Sequence, residues 1–172
     1  HCALFSGFAF LFVGTILIGI EHYSSAAIGR APNNPLFHKG LYFAVFEFVL
    51  DTSGIALIVA CGWFMIRRWQ AASSIGRSVL DWGVLGILVS LALTGYLVEG
   101  LRIIREQTPQ PGFSYVGLGV ANVFQMIGIA DRNNAATLHF GLWWLHAVLS
   151  LSFIAAFPYT RLLHSIVGAI NV

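Results

Sequence analysis

Charge is what this chain has least of. Asp, Glu, Lys and Arg make up 9% of its 172 residues, and the formal net charge is only +2. A soluble globular domain carries about 25% charged residues. Charge this sparse excludes an ordinary water-facing surface. A balance of +2 also lacks the basic footprint of a nucleic-acid binder. Cysteine is scarce too. Cys2 and Cys61 lie in apolar runs without CxxC spacing. That excludes a disulfide framework and cluster ligation here, so any iron–sulfur chemistry belongs outside these residues. Helix breakers are rare within the apolar runs, where Pro158 stands near the end of the last one.

What is present is hydrophobic: 58% of the residues, with a mean hydropathy of +0.80. Four stretches are long enough to cross a bilayer: about 1–20, 41–66, 79–104 and 136–159. The segment between the third and fourth, EQTPQPGFSYVGLGVANVFQMIGIADRNN, opens on Pro and Gly and turns mixed apolar. It reads as a loop followed by a short interfacial helix, too short to cross. The expected fold is all-α, a transmembrane helical bundle forming one domain over 1–172. Pro158 should loosen or kink the last turn of the fourth span. Residues 1–20 lack the charged leader and small-residue cleavage site of a signal peptide. We therefore expect a piece cut from a longer polypeptide.

Alternation puts His1, the 67–78 linker and the C-terminus on one side of the membrane. Loops 21–40 and 105–135 fall on the other, here called the second side. The compact arginines from Arg67 to Arg77 favour the first side as cytoplasmic.

Ionisable groups inside a membrane are costly and usually functional. The run HAVLSLSFIAAFPYTRLLH separates His146 from His164 by eighteen residues. Five helical turns put both imidazoles on one face, roughly 27 Å apart. Two inward histidines at that spacing suit two stacked haems, one per leaflet of a core about 30 Å thick. His139 lies two turns before His146 on the same stripe. A single buried His often just hydrogen-bonds a carbonyl, but three on one stripe favour ligation, and imidazole is a common haem ligand. His1 shares the side of His164, and those two can meet across one haem. His146 lacks an obvious partner, so its haem is expected to be five-coordinate or to take His139 or His22 as its other ligand. His22 and His38 otherwise read as solvated interfacial histidines.

The second span begins FHKGLYFAVFEFVLD. Lys39, Glu47 and Asp51 cluster towards the second side, the two acids four apart on one face. A quinone headgroup needs hydrogen-bonding groups at its carbonyls and a route for protons, and these residues supply both. The plain alternative is a snorkelling lysine and acids bonded within the bundle. Glu99 and Arg102 can pair at the same end of the third span.

FPYTRLLH and the eighteen-residue histidine spacing resemble the last helix of the respiratory nitrate reductase gamma-subunit family. The resemblance implies that His146 and His164 ligate haem b. GFAFLFVGT resembles the family helix that supplies the other two ligands. There Phe5 and Thr15 occupy the ligand positions, and His1 stands one turn earlier. GRSVLDW, TGYLVEGLRI and LHFGLWWLH are more similar to a branch fused to, or partnered with, heterodisulfide-reductase-like iron–sulfur proteins. In that branch His1, His139, His146 and His164 fall on histidines, and Lys39 on a lysine. The resemblance covers nearly the whole chain. It implies a diheme cytochrome b module, the electron-transfer part of a quinone-linked oxidoreductase in a prokaryotic cytoplasmic membrane. Its partners would be a membrane quinone and an iron–sulfur protein or domain, and no nucleic acid. The alternatives are a true nitrate reductase gamma subunit and a haem-free anchor or transporter. Transporters scatter intramembrane polar groups over broken helices, whereas here they gather on one stripe.

Overall fold

The computed structural model describes residues 2–29, 36–70, 79–107 and 111–160, which are helical apart from turns and short irregular links. His1, His164 and Arg77 lie outside them. The helices are α1 (Cys2–Ala27), α2 (Gly40–Gln70), α3 (Val79–Glu106), α4 (Tyr115–Met126) and α5 (Arg132–Ala156). α1, α2, α3 and α5 are each long and apolar enough to cross a membrane. α4, at twelve residues, is too short to span.

Contacts fix the neighbours as antiparallel. Gly7 of α1 meets Ser53 and Leu57 of α2, while Gly14 meets Leu50. Arg68 near the end of α2 holds Asp81 near the start of α3 at 2.5 Å, and Glu47 reaches Arg102. Thr94 of α3 meets His146 of α5, and Arg105 meets His139. The helices thus run in a row, α1–α2–α3–α5, with α4 laid on α3. Small residues allow this closeness, as is usual between membrane helices. A Cβ on Gly7 would stand 2.9 Å from the Ser53 carbonyl oxygen.

Two apolar cores follow. One, around Leu57, Cys61, Leu85, Leu88 and Phe153, lies towards the first side. The other, around Leu101, Ile104, Ala121 and Ala135, lies under α4. α1 and α5 are the outer members of the row. They meet at Phe8, which packs edge-on to Phe153 at 5.5 Å and stacks on Phe157 at 6.3 Å. Large apolar side chains elsewhere face outward, among them Phe10, Leu41, Trp63 and Leu151. Such exposure suits lipid, where apolar surface needs no cover.

Several helices outrun their expected spans. α1 continues to Ala27, through the polar EHYSS segment. α5 starts at Arg132 because Asp131 caps it, accepting from the N–H groups of Asn133 and Asn134 at 3.1 and 3.2 Å. The loosening expected at Pro158 takes the form of a 3-10 turn over Phe157–Tyr159.

Candidate functional site

The second-side half of the row holds most of the described charged groups. Arg102, one turn from the end of α3, is their hub. Its Nε and Nη2 donate to the two oxygens of Glu99, both at 2.7 Å. The same Nη2 reaches Glu47 of α2 at 3.1 Å, and Nη1 reaches Glu106 at 3.4 Å. The guanidinium lies 5.6 Å from the Phe43 ring centre. A planar fork with five donors can serve three carboxylates at once, which an ammonium cannot do in fixed geometry. Glu106 also holds Arg105, whose Nη1 lies 3.1 Å from Nδ1 of the buried His139. One chain of contacts therefore runs from Glu47 to His139. It contains three carboxylates and two guanidiniums, so it has one acidic group in excess.

Asp51 has a different task. It is buried, and its Oδ2 accepts from the Val116 N–H at 2.6 Å. Ser114 occupies the cap position of α4 but makes no cap bond; its hydroxyl donates to Glu99 at 3.2 Å. Asp51 thus caps α4 from another helix, one turn from Glu47 and satisfying an otherwise orphaned N–H. Tyr96 donates to the Asp51 carbonyl at 2.6 Å, and Thr52 meets the Tyr115 hydroxyl at 3.3 Å. Glu47 and Asp51 share a region, as the spacing predicted, and Glu99–Arg102 joins the same network. Lys39 stands exposed just before α2, about 12 Å along the chain axis from Glu47.

His146 and His139 both face α3, which agrees with the single stripe. The Nδ1 of His146 lies 2.8 Å from the Thr94 hydroxyl, and Gly95 flanks the ring. Its Nε2 has no hydrogen-bond partner among the described residues. Because α5 starts at Arg132, His146 falls near mid-helix, and His139 lies closer to the second-side end. The sequence reading put His146 itself near that face.

His22 is exposed, its ring edge-on to Tyr23 at 5.5 Å. His38 corrects the solvated reading: its side chain is 8% exposed, with Nδ1 3.4 Å from Glu21. The Glu21 carboxylate also accepts from the Leu36 and Phe37 N–H groups and from Ser25. It anchors the chain entering α2 to the end of α1. Sequence reasoning missed Glu21, Thr94 and Arg105. Glu21 carried a signal, an acid ending an apolar run. Thr94 and Arg105 carried none, since their partners lie 52 and 34 residues away.

Among the described residues, no group of three or more His, Cys, Asp or Glu is arranged to hold a bare metal ion. A haem brings four nitrogens of its own and asks the protein for one or two axial ligands.

No family model and no solved structure matches the chain. It is 27% identical to a protein of Bacillus subtilis named probable iron–sulfur-binding oxidoreductase FadF, over 94% of this chain and 22% of that protein. It is 29% identical to the EtfAB:quinone oxidoreductase of Syntrophomonas wolfei, over 99% of this chain and 24% of that protein. The chain thus spans about a quarter of the length of these curated relatives. Both are bacterial oxidoreductases by name, and neither is described as a nitrate reductase subunit.

Proposed function

We propose that this chain is a membrane cytochrome b module that carries electrons between a quinone pool and iron–sulfur centres. The observation that carries the reading is His146: an imidazole held at Nδ1 by Thr94, with Nε2 open, inside an apolar bundle. That is the usual posture of a ligating histidine, whose second nitrogen is fixed by a hydrogen bond. A haem b held there supplies a one-electron carrier within the membrane. Gly95 keeps α3 low beside the ring. His1 and His164, outside the described residues, are the ligands of the second haem in this reading. His139, turned to Arg105, is either a partner ligand for the His146 haem or an electrostatic neighbour of it.

The quinone headgroup binds at the second side, between Lys39 and the Glu47–Arg102 network. Quinone reduction and quinol oxidation move protons with electrons, so an acid must stand within hydrogen-bond reach, about 2.6–3.2 Å. Glu47 holds or releases that proton while Arg102 fixes its position. Asp51 supports the site by fastening α4 over α3. The names of the two relatives support an iron–sulfur partner and a quinone substrate. Their bacterial origin supports a prokaryotic membrane.

The test is a reduced-minus-oxidised optical spectrum of the purified protein. We expect b-type α and Soret bands, with haem content reduced in His146→Ala and residual haem held elsewhere. A protein purified from haem-replete cells with no such bands would overturn the reading in favour of a haem-free anchor.

A further inference from the structure

We infer that Thr94 is a positioning residue that selects the tautomer of His146, leaving its Nε2 as a lone pair for a metal centre. This rests on the haem reading above, but the tautomer itself can be read without haem. The inference comes from counting protons on one oxygen. The Thr94 Oγ1 lies 2.8 Å from the Ser90 carbonyl oxygen, 3.2 Å from that of Leu91, and 2.8 Å from Nδ1 of His146. Carbonyl oxygens only accept, and the hydroxyl has a single proton. That proton is committed to the backbone, chiefly to Ser90. Were it turned to His146 instead, two oxygens would face each other lone pair to lone pair at 2.8 Å. The remaining contact is satisfied only if the imidazole donates, so Nδ1 carries the hydrogen. A neutral imidazole has one N–H, so Nε2 is bare.

Two features strengthen the assignment. The Thr94 bonds lie within one helical turn of α3, so the acceptor lone pair points from a rigid backbone. His146 and Thr94 sit on packed, antiparallel helices, which fixes the ring in distance and in rotation about its Cβ–Cγ bond. A ring held through Nδ1 also gains basicity at Nε2, because the bond lets Nδ1 give up part of its hydrogen.

The experiment uses the full chain in detergent, as wild type, Thr94→Val and Thr94→Ser. Valine keeps the shape and removes the acceptor; serine keeps the acceptor. Nitrogen-15 spectra of histidine-labelled, haem-depleted protein, assigned with His146→Gln, report the tautomer directly. We expect the Nδ1–H form in wild type and Thr94→Ser, and a shift towards Nε2–H or a mixture in Thr94→Val. In haem-loaded protein the weaker ligand of Thr94→Val should favour reduced iron. A tenfold shift in the oxidised-to-reduced ratio corresponds to about 59 mV for one electron, with Thr94→Ser close to wild type. An Nε2–H form in wild type, or an identical tautomer in Thr94→Val, would overturn the inference. Absence of haem with the expected tautomer pattern would overturn the haem reading alone.

Discussion

At the residue scale, the second-side network shows how different side chains share one region. Arg102 spends its guanidinium on three acids, while Asp51, one turn from Glu47, spends its carboxylate on a backbone N–H. Glu47 is bound to Arg102 by a contact at 3.1 Å and also hydrogen-bonds to Glu99, so two carboxylates share a proton there. In the function proposed above, that shared proton is the one exchanged with a quinone. Lys39→Ala should leave haem content unchanged and slow haem reduction by a quinol analogue roughly tenfold or more, a factor set by losing about 1.4 kcal/mol of interaction. Stopped-flow reduction, with dithionite as the control, measures it. A wild-type quinol rate would move the headgroup away from Lys39. Loss of haem would make the lysine structural. The acids and the histidine stripe were legible in the sequence because charge is so rare in apolar runs. Their partners were not. Thr94 and His146 stand 52 residues apart, and nothing local marks that threonine from any other.

At the scale of elements, hydropathy located all four spans and the short helix between the last two. It misjudged their ends. α1 keeps its helix through EHYSSAA because Glu21 takes up backbone donors of the following segment, giving a polar stretch an internal role. α5 begins four residues before the expected span because Asp131 satisfies two of its first N–H groups. α4 illustrates the reverse. Its own cap residue, Ser114, is turned to Glu99, so the cap comes from α2. Asp51→Ala should therefore loosen α4 more than it affects α2. A cap contributes about 1 kcal/mol, and a charged, buried acceptor about 1.5–3 kcal/mol. We expect faster proteolysis within 111–115 in Asp51→Ala, with total helicity nearly unchanged by circular dichroism. Equal cleavage rates in the two proteins would show that α4 is held by its apolar core alone.

At the scale of the whole molecule, the row has one well-packed spine and two flanks. α3 touches α2, α4 and α5, while α1 leans on α2 and meets α5 at Phe8. Both histidines of α5, His139 and His146, look to that spine, so the proposed haem site depends on rotational phase. The Asp131 cap sets the phase, acting as the zero of a ruler along the helix. Each residue after it advances 1.5 Å and turns about 100°. His139 and His146 are two turns apart, a step that returns to nearly the same azimuth, with a drift of about 20°. One alanine inserted between Thr137 and Leu138 would therefore break either the cap or both contacts with α3. Haem content, read by a haemochrome assay, should collapse. Seven inserted residues would restore the azimuth but displace the histidines by about 10 Å along α3, so Thr94 would face a different side chain. The eight residues from Asp131 to Leu138 have no room to change in number. Their number is itself a structural parameter, as binding as the identity of any side chain they carry.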